Sequence, residues 1–154
     1  IDVCLYNARV LGPQNNGAVP SSKAEFDTVM HTNVLGPLRA IPLVAPALVR
    51  TKGTFAFISS RMGSIGLQTT ASRVTYRASK AALNAVVKTA AIEWAPHGIT
   101  CISLHPGWVK TDMGGSDADI DPPTSISGMR TVIAKATAAD AGKFFDYTGE
   151  ELAW

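Results

Sequence analysis

Apolar residues along this chain fall into two patterns. Short continuous runs occupy residues 2–6, 54–58, 99–104 and 143–147. Runs of that length, bounded by Gly, Pro and Asn, read as buried strands. Between them lie longer segments whose apolar residues recur every three to four positions, the helical period. One is expected from about 24 to 49, with Phe26, Val29 and Met30 on one side. A second runs from about 75 to 94, with Leu83, Val86, Val87, Ala90 and Trp94 as its core stripe. A third starts at Thr124 or Ser125 and ends near Thr137. Ser21 or Ser22 is placed to cap the first helix, and Glu25 completes a capping box with Ser22. Pro96 and Gly98 stop the second.

Strands that alternate with helices predict an α/β fold around a parallel sheet. Leu11 to Ser22 and Arg61 to Arg73 read as loops. Met113 to Ser127, rich in Gly, Asp, Ser and Pro, reads as a longer loop of the kind that forms active-site lids. Pro37 has no N–H, so it cannot bond the carbonyl of Asn33 four residues earlier. Either the helix simply kinks there, or the freed carbonyl holds a functional water.

Composition narrows the function classes. Hydrophobic residues make up 46% of the 154 and charged residues 17%, enough apolar material for one sizeable core. The net charge is +2 with no basic run, so no electrostatic footprint for nucleic acid is expected. No membrane association is expected either. The uncharged apolar stretch Ala40 to Val49 is too short to span and carries Pro42 and Pro46. No signal peptide is visible. Cys4 and Cys101 lie in strand-like runs and read as buried, reduced residues, which fits a cytoplasmic setting. His31, His97 and His105 lack metal-ligand spacing and read as structural. Asp117, Asp119 and Asp121 lack the rest of a calcium loop, so no metal is expected.

The candidate chemistry lies at the strand ends. Asn7 follows the first strand, Ser59 and Ser60 the second, and Pro106-Gly107 the third. In parallel α/β sheets, ligands bind beyond the carboxyl ends of the strands. Tyr76 and Lys80, four apart on the second helix, share a face. An ammonium beside a phenol favours the phenolate, so Lys80 is expected to lower the Tyr76 pKa from its usual value near 10. Alone, this pair also fits an ordinary solvated helix face.

Asn33, Ser60, Tyr76-x-x-x-Lys80 and Pro106-Gly107-x-Val109-x-Thr111, in this order and spacing, resemble the short-chain dehydrogenase/reductase family. The resemblance covers essentially the whole chain. Residues 60–66 and 146–154 are similar to the C-factor and sniffer-like carbonyl reductases within it. The resemblance implies a Rossmann-like, doubly wound sheet and hydride transfer between NAD or NADP and a small carbonyl or alcohol substrate. NADP is preferred by the resemblance alone. It implies Tyr76 as the general acid or base, Lys80 as its activator and ribose ligand, Ser60 as donor to the substrate oxygen, and Asn33 as holder of a relay water. Asn7, Ala8, Pro106, Gly107, Val109 and Thr111 would contact or support the cofactor. Ser59 and Ser64 remain alternatives to Ser60. Relatives pair through two long helices, here 24–50 and 75–95, so a homo-oligomer is the expected partner.

Two departures stand out. No G-x-x-x-G-x-G phosphate loop occurs, so residues 1–154 are expected to be the catalytic part of a single domain whose first βαβαβ half is missing. The family's Asn-Asn-Ala-Gly motif reads Tyr6-Asn7-Ala8-Arg9, with Arg9 in place of a glycine. An inactive fragment of a reductase is therefore one expectation. A non-catalytic binding module derived from a decayed dehydrogenase is another. An epimerase or dehydratase of the extended family is disfavoured by the short tail.

Overall fold

A computed structural model describes all 154 residues. Four parallel strands form one sheet in the order β1 (Val3–Tyr6), β2 (Thr54–Ile58), β3 (Thr100–His105) and β4 (Phe144–Asp146). The register sets Cys4 beside Phe55 and Phe55 beside Cys101. The two cysteines thus sit two strands apart, about 9–10 Å, beyond disulfide reach. Both are free, Cys101 buried but Cys4 only half-buried, because β1 is an edge strand.

The pleat of β2 explains how the sheet is covered. Phe55 and Phe57 point to one face, stacked on each other with ring centroids 4.2 Å apart. There they meet Ile41, Ala45 and Leu48 of α2 (Gly36–Val49) and Leu83, Val87 and Ala90 of α3 (Val74–Trp94). Ala56 and Ile58 point to the other face, where they pack with Ile102, Leu104 and Val132 of α4 (Pro122–Lys135). The expected α/β parallel sheet is therefore present, with helices on both faces. Val3 and Leu5 of β1 remain exposed.

The helices refine the sequence reading in two places. α1 (Lys23–Met30) starts with the expected capping box, Ser22 with Glu25. It does not kink into α2. Instead a π-helical segment, His31–Leu35, joins them, and the Gly36 N–H reaches back five residues to the His31 carbonyl. The missing N–H of Pro37 leaves the α-helical pattern no bond to make at Asn33, and the wider turn takes up the difference. α4 begins two to three residues earlier than expected. Asp121 caps it by accepting from the Thr124 N–H at 2.8 Å, and Pro122 and Pro123 fill its first turn, where proline is well tolerated. The long loop therefore ends at Asp121.

By length and composition alone, the continuous helical stretch Lys23–Val49 would suffice to cross a membrane, which the count of uncharged runs did not show. Here it lays Val29, Ile41, Ala45 and Leu48 onto the rest of the fold. At the far end Trp154 stacks on Phe144, centroids 5.7 Å apart.

Because Phe57 is fully buried between Tyr6 and Phe55, Phe57→Ala is expected to cost about 3–5 kcal/mol of stability. Ile65→Ala, at an exposed position, should stay within about 0.5 kcal/mol. Urea unfolding midpoints compare the two, and equal midpoints would show that this face is not the core.

Candidate active site

The carboxyl ends of β1, β2 and β3 open into a cavity of about 790 Å³. Tyr76 and Ser60 face it, and Pro106, Gly107, Val109 and Thr111 supply a wall. Each is placed by its element. Tyr76 sits in the first turn of α3, Ser60 two residues past β2, and the Pro106–Thr111 turn directly after β3. Gly107 has φ +83°, and a Cβ there would press on Ile120 Cδ1 at 2.6 Å. Only glycine turns the chain this tightly at that point.

Lys80 lies one turn after Tyr76, as the spacing predicted, with its Nζ 5.8 Å from the Tyr76 ring centroid. It does not reach the cavity. It is fully buried, and its ammonium donates to the Ile58 carbonyl at 2.8 Å. Burial first, then the nearby Arg9 charge, brings its pKa down to about 7. The expected lowering of Tyr76 by Lys80 is not found. Burial raises the Tyr76 pKa, and the groups that oppose this are Arg9, Ser60 and Arg73. An ammonium that is itself driven toward neutrality has little charge to offer its neighbour.

The three candidate serines separate clearly. Ser59 also lines the cavity, but it is buried and its hydroxyl is engaged, donating to Asn84 Oδ1 at 2.6 Å. Ser64 accepts from the Leu67 N–H at 3.1 Å and lies off the cavity. Ser60 lines the cavity near enough to Tyr76 to pull its pKa down, although its Oγ also accepts from the Met62 N–H at 3.2 Å. The side chain of Asn33 serves as a brace. It accepts from the Val10 N–H and donates to the Val10 carbonyl, both at 2.9 Å, and donates to Ser79 Oγ at 3.0 Å. It ties the loop after β1 to α3, just beneath Tyr76. Asn7 and Ala8 are exposed and do not line the cavity.

The residue that follows them does. Arg9 reaches the cavity, and its charge acts on Tyr76, Lys80 and His105. Arg73, Arg77 and His105 also line the cavity, and the sequence reading gave none of them a place in the site. Arg73 is the N-cap of α3 and sits in the left-handed region at φ 54°. Arg77 holds the 61–73 loop through Ser72, Met62 and Thr70. His105 was read as structural. It forms part of the wall, its Nδ1 is buried without a partner, and burial holds its pKa down at about 4. Arg73 and Arg77 flank Tyr76 in sequence and His105 directly precedes Pro106, so proximity to the predicted site residues could have flagged them; what the sequence does not show is that the fold gathers them with Arg9.

The nicotinamide end of a dinucleotide fits this site. A phenol and a serine that can hydrogen-bond a carbonyl oxygen meet an apolar turn at one cavity. The chain has no glycine-rich turn for the diphosphate. The sequence profile of the short chain dehydrogenase family matches residues 1–120. The chain belongs to that family. It is 43% identical over 156 residues to the C-signal of Myxococcus xanthus, covering all of this chain and 93% of that protein. It is 41% identical over 136 residues to an uncharacterized oxidoreductase of Saccharomyces cerevisiae, covering 78% of this chain and 53% of that one. Among solved structures, it superimposes on the carbonyl reductase Sniffer of Drosophila melanogaster with TM-score 0.88 at 34% identity, over 100% of this chain and 66% of that one. The NADPH-bound carbonyl reductase from chicken fatty liver gives 0.86 at 33% identity, over 97% and 64%. The chain thus spans nearly all of the C-signal, about half of the yeast relative and just under two thirds of these reductases.

The Lys80 shift carries a stability consequence. Between pH 7 and its ordinary value of 10.5, the unfolded chain holds a proton at Lys80 that the folded chain has lost. Stability contributed at this site therefore rises with pH across that window, and the penalty is complete below pH 7. Urea midpoints from pH 7 to 9.5 should climb for the wild type relative to Lys80→Met. Parallel profiles would show that Lys80 keeps its ordinary pKa in the fold.

Proposed function

We propose that the chain carries the catalytic part of an NAD(P)-dependent reductase acting on a small carbonyl compound, or on the corresponding alcohol in reverse. The observation that carries this reading is the position of Tyr76. Its hydroxyl faces the cavity, with Ser60 alongside and Lys80 one turn behind. A bound nicotinamide supplies or takes up the hydride. Tyr76 gives its phenolic proton to the carbonyl oxygen as the alcohol forms. The raised pKa of the desolvated phenol keeps it protonated, as an acid must be. Ser60 donates a hydrogen bond to the same oxygen and orients it. Lys80 holds the second turn of α3 against the end of β2 and so sets where Tyr76 stands over the cavity. Asn33 keeps the loop after β1 in register with α3, and its backbone carbonyl is the candidate site for a relay water. The NADP(H)-bound relatives support NADP as the coenzyme.

Self-association belongs to the same proposal. Between α2 and α3 lies a groove of about 430 Å³ lined by Leu38, Ile41, Val86 and Trp94, and Leu43 and Ile92 are exposed on these helices. The two free cysteines support a reducing, cytoplasmic setting. One observation favours a second reading, a signalling or binding module that performs no chemistry. The match to the C-signal covers nearly all of both chains.

Two measurements test the catalytic reading. In the complete protein, Tyr76→Phe should cut turnover by about 10²–10⁴-fold and leave coenzyme binding nearly intact, as followed by nicotinamide absorbance and by titration. Full turnover in that variant would remove Tyr76 from the chemistry and favour the binding module. Residues 1–154 alone should oxidise no NADPH with a carbonyl substrate, because the coenzyme's diphosphate finds few contacts in them. Measurable oxidation would show that those contacts are dispensable.

A further inference from the structure

The cavity has an uneven charge distribution. Four guanidinium groups line it, those of Arg9, Arg61, Arg73 and Arg77, and no carboxylate does. None of the four is in an ion pair, since the ion pairs of this fold involve Lys23 and Lys143. Arg77 is committed to the loop it braces, through all three of its guanidinium nitrogens. Arg9 and Arg73 are not. Arg9 makes one long contact, at 3.4 Å to Asn7 Oδ1. Arg73 has a buried Nη1 without any partner. The two approach from different loops, after β1 and before α3, and both bear on the Tyr76 hydroxyl. A planar guanidinium with free donors suits a carboxylate, which it binds through paired hydrogen bonds.

We infer that Arg9 and Arg73 make this cavity a site for an anionic carbonyl substrate, an oxo acid whose carboxylate docks on the two guanidiniums while its carbonyl oxygen meets Tyr76 and Ser60. This rests on the reductase reading and adds the substrate class to it. Arg9 stands where the family pattern has a glycine, so the anion site is a property of this chain's own sequence. Leaving the guanidiniums without a counter-charge favours an anionic occupant over its neutral isostere, because two partly buried charges have no ionic partner.

The test compares 2-, 3- and 4-carboxybenzaldehyde with their methyl esters in the complete protein at saturating reduced coenzyme. At least one acid should exceed its ester in kcat/KM by about tenfold or more, with the advantage falling in high salt. Arg9→Met, and Arg9→Met with Arg73→Met, should bring that ratio toward one. Should the double variant not fold, the single variant and the salt series carry the decision. Esters reduced as well as acids, with a ratio that neither variant moves, would overturn the inference and leave the reductase reading intact. A variant that weakens NADPH binding without changing the ratio would assign the guanidiniums to a coenzyme phosphate and overturn it too. If no aldehyde is reduced, the reductase reading fails, and the quenching of tryptophan fluorescence, Trp108 being in the cavity wall, decides the charge question. Benzoate binding about tenfold tighter than benzamide, and lost in the variants, supports the anion site, whereas equal binding overturns it.

Discussion

The bond from the Lys80 ammonium to the Ile58 carbonyl is the interaction on which the site depends. A fully buried ammonium must find acceptors or give up its proton. Lys80 does some of both. Its one hydrogen-bond acceptor is the last carbonyl of β2, so the side chain fastens α3 to the end of the central strand. That bond fixes how far α3 stands above the sheet, and with it the height of Tyr76 one turn earlier. Gly63 completes the clamp. Its Cα lies so close to α3 that a Cβ would sit 2.7 Å from the Lys80 backbone carbonyl carbon. The short helical turn Arg61–Gly63 can therefore press directly on α3, carrying Ser60 with it. Tyr76, Ser60 and Lys80 are held by one packed contact between a strand end and a helix.

A second brace works from the opposite side. Asn33 occupies a π-helical segment, where the backbone widens and rotates the side chains that follow relative to a regular helix. From there it satisfies both backbone groups of Val10 and reaches Ser79. Ser79 in turn donates to the Tyr76 carbonyl at 2.7 Å. The chain of bonds thus runs from the loop after β1, through the π segment, into the first turn of α3. Thr75 adds a contact of 2.5 Å to Ser21, beside the cap of α1. The first turn of α3, which carries Tyr76, is anchored to three separate elements, so the scaffold holds its hydroxyl in one place.

The strands were legible because each is a short apolar run with turn residues at its borders, and length and borders together identify such runs. The pairing of Tyr76 with Lys80 was legible because helical spacing is local. The start of α4 was available in the sequence and was misread: Asp121-Pro122-Pro123 is a cap followed by two residues suited to a first turn, and treating proline as a sign of loop hid it. The π segment was half legible. Pro37 shows which bond is lost, but whether the chain kinks or widens depends on what the displaced turn packs against. The full burial of Lys80, and the places of Arg73 and His105 in the cavity wall, were not legible. Each depends on burial and on charges brought in from loops far away in sequence, and no local rule contains that information.

Arg9 shows how one residue can reset the electrostatics of such a site. It is close enough to lower the pKa of Lys80, Tyr76 and His105 together. For the phenol this opposes the effect of burial. For the lysine and the histidine it adds to burial, since a like charge in a desolvated site makes a second positive charge harder to hold. A cation that disfavours its neighbour's cation is coupled to any anion that binds it, and such coupling is reciprocal. A carboxylate on Arg9 would offset the charge felt at Lys80 and favour its ammonium form, and an ammonium at Lys80 would in turn strengthen the hold on the carboxylate. The arginine that replaces a glycine after β1 is thus placed to link occupation of the cavity to the protonation of the lysine beneath its tyrosine.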